Sequence, residues 1–185
     1  MPLVKTSKEE IVQTALGVFR KNGYYNTSMS DLAVACGLQK GSFYHYFDSK
    51  ELLMAEVLTV VYQNLKEKIF VIAEDESLSP RDRLEKLLVK LGKALLMQDG
   101  GCIVGNTILE TSNQNLSFKN TLKAIMEDWK AALVKILTSE YSEGTAGRMA
   151  DQMVMEFEGA VMMSQLYEND QYLKDVFVRS LTKLH

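Results

Sequence analysis

TSMSDLAVACGLQKGSFYHYFDSK, residues 27–50, has the spacing of two short helices joined by a tight turn. Ser28 and Asp31 have the capping-box spacing that begins a helix. The apolar face of that helix has residues three and four positions apart, namely Met29, Leu32, Ala33 and Cys36. Gly37 follows, and glycine tolerates the left-handed backbone conformation that commonly ends a helix.

A second helix is predicted from Gln39 to about Tyr46, with Phe43 on its inner side. A small residue, then glycine, then a large apolar residue at these intervals is typical of a helix-turn-helix. The outer side offers hydrogen-bond donors, a positive charge and an aromatic hydroxyl, from Gln39, Lys40, Ser42, Tyr44 and His45. Such a helix can lie in a DNA major groove. The alternative is a small helical hairpin with a polar outer face.

These residues resemble the DNA-binding signature of the TetR (TetR/AcrR) family of transcriptional repressors. The matching runs are TSMSDLA (27–33), CGL (36–38), KGSFYHYF (40–47) and SKELL (49–53), within a similarity that covers roughly residues 7–55. The resemblance implies a dimeric repressor that releases its operator when a small molecule binds. The residues expected at double-stranded DNA are Ser28, Gln39, Lys40, Gly41, Ser42, Tyr44, His45 and Lys50.

Lys50 is expected in the first turn of the next helix, where a cation is poorly placed for the helix dipole. A DNA phosphate at that helix end would account for it, because free backbone N–H groups point there. The alternative is a solvated lysine, and the family resemblance favours the phosphate. Lys50 and Ser28 are therefore expected to position the DNA backbone, while Lys40, Tyr44 and His45 touch the DNA, with Gln39 and Ser42 as further candidates.

The predicted fold class is all-α, because only two prolines and eleven glycines interrupt long segments of helical periodicity. The expected organisation is an N-terminal three-helix helix-turn-helix domain, residues 1–50, followed by a larger helical ligand-binding and dimerisation domain, residues 51–185. Formal charge supports the division. Residues 1–50 contain six Lys or Arg and four Asp or Glu, which gives +2, so the remainder carries −5 of the total of −3.

The chain is 46% hydrophobic and 24% charged, as expected for a globular protein with a sizeable core. It has no apolar run long enough to cross a membrane and no apolar stretch typical of a signal peptide near the start. Two distant cysteines do not form a disulfide framework. A cytoplasmic location without membrane partners is therefore expected.

The C-terminal part contains long periodic segments. One helix is predicted from about Lys50 to Ala73, long enough to join the two domains. The last two helices, about Thr145 to Tyr167 and Asp170 to Leu184, carry apolar residues on more than one side. In a homodimer they would form a four-helix bundle with their partners. The alternative is that they only close the core of one subunit.

An effector pocket is predicted in the ligand domain. Methionine suits adaptable binding surfaces, and several methionines fall between Met126 and Met163. Together with polar groups that could orient a small molecule, the tentative ligand-binding residues are Met97, Cys102, Asn106, Glu110, Phe118, Met126, Trp129 and Phe157. Ordinary core packing is the alternative for each of them. Effector identity, and whether the effector releases or promotes DNA binding, stay open.

Cys102 follows two glycines at a predicted helix start, where a thiol gains reactivity. Some members of the family it resembles carry a similar Gly-Cys segment in which the cysteine senses electrophiles or oxidants. The hypothesis is that thiol modification releases the operator, and the alternative is a small packed residue. Cys36 is expected to face the helix-turn-helix core and to be inert.

Catalysis has little support in the sequence. The two histidines, His45 and His185, belong to no nucleophile motif or metal-ligand spacing. No enzyme activity, metal or cofactor is therefore expected. The main alternative to a repressor is an all-α interaction module that kept the fold without DNA binding.

Overall fold

The computed structural model describes residues 6–96, 100–114 and 116–185, which form nine α-helices and one 3₁₀ helix. In chain order the α-helices are α1 (Lys8–Asn22), α2 (Met29–Ala35), α3 (Lys40–Tyr44), α4 (Lys50–Lys68), α5 (Pro80–Leu96), α6 (Ile103–Thr111), α7 (Lys119–Leu137), α8 (Glu143–Leu166) and α9 (Gln171–Leu181). No strand forms within these ranges, and the predicted all-α fold class is confirmed. Among the described helices, none combines the length and the apolar composition of a membrane span.

The described residues fall into two compact units. The first contains the chain up to Val61 together with Ile103–Leu122. The second contains Tyr62–Cys102 and Lys123–His185. The first unit is therefore discontinuous in sequence, because α6 and the start of α7 join the N-terminal helices. The functional division into residues 1–50 and 51–185 stays a prediction.

The first unit is organised around a buried face of α1. Ser7 and Glu10 form a capping box in which the Ser7 hydroxyl accepts from the Glu10 amide at 3.1 Å and the Glu10 carboxylate accepts from the Ser7 amide at 2.9 Å. The box satisfies backbone donors that the first helical turn leaves free. The buried residues of α1 are spaced as a helical stripe, namely Ile11, Val12, Ala15 and Phe19. Phe43 of α3 belongs to the same unit and is fully buried.

Helix α4 is shorter than the sequence predicts. It ends at Lys68, and the 3₁₀ helix Phe70–Glu74 follows, so the expectation of one helix to Ala73 is wrong. The Lys90 ammonium of α5 donates to the Lys68 carbonyl at 2.9 Å, which satisfies one of the acceptors that a helix end leaves open. The tighter 3₁₀ turn then buries Phe70 and Ile72.

The second unit has a core of aliphatic and aromatic side chains from four helices. Helix α5 contributes Leu84, Leu87, Leu88 and Leu91, and α7, α8 and α9 contribute further buried residues. The Arg81 guanidinium donates to the carbonyls of Leu181 and Leu184, both at 2.7 Å, and so fixes the end of α9. Helix α8 buries one side completely and exposes large apolar residues on another.

Candidate nucleic-acid interface

The N-terminus of α2 is fixed by Ser28 and Asp31. The Asp31 carboxylate accepts from the Ser28 amide at 2.8 Å and from the Ser28 hydroxyl at 2.7 Å, while the Ser28 hydroxyl accepts from the Asp31 amide at 3.1 Å. These hydrogen bonds, from the Ser28 side chain first, lower the pKa of Asp31. Ser28 is exposed, so it combines the predicted capping role with access to a partner.

The turn between α2 and α3 is a Schellman motif. The Leu38 amide donates to the Ala33 carbonyl at 2.9 Å, and the Gly37 amide donates to the Val34 carbonyl at 3.0 Å. Gly37 has φ of +66°, which a residue with a Cβ adopts at a cost. A Cβ placed there would meet no atom within 4 Å, so conformation alone accounts for the glycine.

Helix α3 has one buried and one exposed side. It spans Lys40–Tyr44, about three residues shorter than predicted, and Phe43 is its buried residue. The predicted DNA contacts on and beside this helix are all exposed, namely Gln39, Lys40, Gly41, Ser42, Tyr44 and His45. A Cβ at Gly41 would also meet nothing within 4 Å, so its backbone is open to close approach by a partner.

Lys50, at the start of α4, lies against the segment that follows α1. Its ammonium donates to the Tyr24 carbonyl at 2.7 Å and stands over the Tyr24 ring, 4.4 Å from the centroid. Tyr24 is buried, and Tyr25 is exposed. Burial lowers the pKa of Lys50, and the nearby Glu110 carboxylate opposes that shift. An ammonium has three donors, so the Tyr24 bond is compatible with the predicted phosphate contact.

Glu110 of α6 makes hydrogen bonds that the sequence does not indicate. It was predicted among the effector-binding residues, but its carboxylate accepts from the backbone amides of Tyr24 at 3.2 Å and Tyr25 at 2.9 Å. It therefore belongs to the first unit and supports the segment beside Lys50. No local pattern could have found this contact, because it joins residues 85 and 86 positions apart.

The remaining predicted effector residues are divided between the units. Asn106 and Phe118 belong to the first unit, where the Phe118 ring packs edge-on against Tyr24 with centroids 5.5 Å apart. Cys102, Met126, Trp129 and Phe157 belong to the second unit. Met97 lies outside the described residues.

Trp129 and Phe157 are brought together in the second unit. Their rings meet edge to face with centroids 5.3 Å apart, and Phe157 stacks on Phe177 at 5.8 Å. Trp129 is 5% exposed, and its indole Nε1–H has no hydrogen-bond partner among the described residues. Burial of an indole N–H donor without a hydrogen-bond partner lowers the stability of the folded state. Met126, one turn before Trp129 on α7, is half-buried.

The two cysteines differ in their surroundings. Cys102 is 8% exposed and hydrogen-bonds with Glu158 of α8. Burial raises the pKa of the Glu158 carboxyl, and the hydrogen bond with Cys102 acts in the opposite direction. Cys36 is half-buried; burial raises the pKa of its thiol, with an opposing contribution from a hydrogen bond with Thr14.

Two parts of the chain match models of known protein families. Residues 11–57 match a family model described as bacterial regulatory proteins, tetR family. Residues 80–178, more than half of the chain, match one described as transcriptional regulator LmrA/YxaF-like, C-terminal domain. The chain is 29% identical over 181 residues to the HTH-type transcriptional repressor DhaR of Mycobacterium sp. (strain GP1), covering 92% of this chain and 90% of that protein.

Solved structures agree on the fold. A TetR transcriptional regulator from Legionella pneumophila has a TM-score of 0.89 at 22% identity, covering 99% of this chain and 100% of that chain. AibR in complex with isovaleryl coenzyme A and operator DNA has a TM-score of 0.71 at 18% identity, covering 92% and 95%. At these identities the structural likeness concerns the fold alone.

Proposed function

Because this chain belongs to the TetR family of bacterial transcriptional regulators, we propose that it is a repressor that binds a near-palindromic operator as a homodimer and releases it when a small molecule binds. The family consists of DNA-binding regulators and not of enzymes. DhaR, which aligns over nearly the whole chain, is named a repressor. We assign DNA binding to residues 1–50 and effector binding and dimerisation to residues 51–185.

The observation that carries the proposal is the two-sided character of α3. Phe43 is fully buried, while the polar residues around it from Gln39 to His45 are exposed. Burial of Phe43 fixes which side of α3 faces outward, and that side carries donors suited to base edges and phosphates. Lys40, Tyr44 and His45 touch DNA, with Gln39 and Ser42 as further contacts.

Lys50 and Ser28 have the positioning role. The Lys50 ammonium carries the positive charge at the start of α4, and a phosphate there would also meet free backbone amides. Lys50→Ala then weakens binding to all sequences alike and lowers the dependence of log K on log salt by about one unit. A changed sequence preference with an unchanged salt slope would contradict this role.

A second copy of the chain is the partner we propose for the exposed apolar side of α8. Met155, Met162 and Leu166 follow at helical spacing and are 67%, 60% and 70% exposed. Val178 of α9 is 64% exposed. Contiguous exposed apolar residues mark interaction sites on soluble proteins. A two-fold axis beside these helices would bury the same residues on both copies.

The effector we propose is a small, largely apolar molecule that carries a hydrogen-bond acceptor. Trp129, Phe157 and Phe177 supply an aromatic surface, and the Trp129 indole N–H lacks a partner among the described residues. AibR, of the same fold, was crystallised with both an acyl-coenzyme A and operator DNA. Met126→Ala and Trp129→Ala should weaken the effector response more than operator affinity.

Thiol modification of Cys102 is the second candidate route to release. Its favouring observation is that Cys102 immediately precedes the first residue of α6, a position that stabilises a thiolate. Burial of Cys102 and the adjacent Glu158 carboxyl act against it. Mass spectrometry after brief alkylation tests the route: Cys102 modified before Cys36, with release lost in Cys102→Ser, supports it, and resistance of Cys102 in the folded protein refutes it.

The experiment for the main proposal is a footprint of the DNA upstream of the protein's own gene, combined with sedimentation at micromolar concentration. We expect an inverted repeat whose half-sites lie about one helical turn apart, roughly 34–36 Å, or somewhat more. We also expect a dimer in solution. A monomer that protects no inverted repeat would favour the interaction-module alternative.

A further inference from the structure

We propose that Glu110 of α6 is a positioning residue for operator binding, because its carboxylate holds the Gly23–Tyr25 turn on which the Lys50 ammonium rests. The inference rests on the proposed DNA-binding function. It moves Glu110 from the predicted effector site to the support of the DNA contact. The contacts involved all lie within the first unit.

The first step is the anchoring of the turn. Helix α1 ends at Asn22, and the Gly23 that caps it has φ of +81°. The amides of Tyr24 and Tyr25 both donate to the Glu110 carboxylate, one to each oxygen. A Cβ at Gly23 would lie 2.6 Å from Glu110 Oε1, so only glycine lets the carboxylate approach this closely.

The same turn contacts the Lys50 ammonium. The Tyr24 carbonyl accepts the Lys50 ammonium at 2.7 Å, and the Tyr24 ring lies under the same charge. The Tyr25 ring centroid is 5.9 Å from it. Rotation of the Tyr24–Tyr25 peptide would therefore move the acceptor away from Lys50. Glu110 prevents that rotation by holding the amides on both sides of Tyr24.

The third step leads from the turn to α2. The Thr27 hydroxyl, which is 1% exposed, donates to the Gly23 carbonyl at 2.7 Å. Thr27 directly precedes Ser28, the N-cap of α2. One carboxylate thus stabilises a turn that holds the Lys50 side chain and leads into the N-cap of α2.

The negative charge of Glu110 also stabilises the Lys50 ammonium, which an uncharged residue at the same position would not do. Burial disfavours the Lys50 ammonium, and the nearby carboxylate opposes that effect. Because the Glu110 carboxylate favours the charged form of Lys50, the ammonium stays available to a DNA phosphate at the proposed binding surface. A carboxylate without this lysine would repel phosphate.

The test compares Glu110→Gln with Leu109→Ala in the full chain, by fluorescence anisotropy on the footprinted operator across a salt series. Glutamine keeps the shape of the side chain but has only one acceptor oxygen for two amides. Leu109, the preceding residue of α6, is 80% exposed and is the matched control. We expect Glu110→Gln to bind the operator about tenfold more weakly, with a salt slope lower by about one unit. Leu109→Ala should bind as the unchanged protein does.

A double-mutant cycle with Lys50→Ala distinguishes positioning from general support. If Glu110 acts through Lys50, then Glu110→Gln does not weaken binding further once Lys50 is alanine. An equal effect in both backgrounds overturns the inference, as does a Glu110→Gln protein that binds like Leu109→Ala.

Thermal unfolding is measured on every variant. If Glu110→Gln is unfolded, Glu110→Asp takes its place, since it keeps the charge and shortens the reach to the amides. Weakened binding with a salt slope lower by about one unit supports the inference for that variant, and unchanged affinity or an unchanged salt slope overturns it. Failure of the unchanged protein to bind any DNA would refute the proposed function itself, whereas normal binding with an inert Glu110 refutes only this inference.

Discussion

Phe43 is the residue on which the orientation of α3 depends. It is fully buried, and Tyr44 beside it is 39% exposed. We expect Phe43→Ala to lower the free energy of unfolding by about 3–5 kcal/mol, because it removes a large core side chain and leaves a cavity. Tyr44→Ala should change stability by less than about 0.5 kcal/mol while weakening operator binding about tenfold. Chemical denaturation and anisotropy measure the two effects; equal loss of stability in both variants would contradict this division.

Glu158 gives a prediction about pH. Burial raises the pKa of its carboxyl above the ordinary value of 4.5, so the folded state favours the protonated form. Its contribution to stability is present below that ordinary value and is lost as the pH rises through the folded pKa. Glu158→Gln stays neutral. We expect its melting temperature to exceed that of the unchanged protein at about pH 8 and the difference to shrink towards pH 4. A difference that does not vary with pH would contradict the assignment.

At the scale of elements, the turn and α3 each contain a glycine with open space around it. We expect alanine at these two positions to change stability in opposite directions. Gly37→Ala places a Cβ on a residue with φ of +66° and should cost about 1–2 kcal/mol of stability. Gly41→Ala lies within α3 and should raise stability by roughly 0.5–1 kcal/mol while lowering operator affinity, since the new methyl separates the backbone from DNA. Denaturation and anisotropy on both variants check this; an unimpaired Gly41→Ala would remove Gly41 from the interface.

The same elements show how far sequence alone can predict this structure. The caps, the turn and the buried face of residues 27–47 depend on partners three to five positions apart. The spacing of these residues in the sequence is therefore enough to predict them. Spacing does not predict the end of α4, because apolar residues continue at helical intervals through Ile69 and Ile72. The Lys68 carbonyl there accepts from the ammonium of Lys90, 22 positions later. The contacts of Glu110 cannot be predicted from spacing for the same reason, since its partners are the backbone amides of Tyr24 and Tyr25, 86 and 85 positions earlier.

For the molecule as a whole, dimerisation gives the sharpest prediction. Met162→Glu puts a charge on the exposed apolar side of α8, and Val71→Glu, at a residue that is 52% exposed, is the matched control. We expect Met162→Glu to sediment as a folded monomer and to bind the operator about a hundredfold more weakly, because one chain then engages one half-site. Val71→Glu should stay dimeric. A dimeric Met162→Glu protein would place the interface elsewhere.

The two-part composition of the first unit also limits how such regulators can be recombined. Residues 6–61 and Ile103–Leu122 are separated in sequence by the segment that begins at Tyr62 and ends at Cys102. A chimaera that transplants only the N-terminal segment would leave the Tyr24 and Tyr25 amides facing whatever side chain the recipient carries in place of Glu110. Exchange of operator specificity between relatives therefore calls for a graft of two segments, or for a recipient whose sixth helix already supplies a carboxylate at that position.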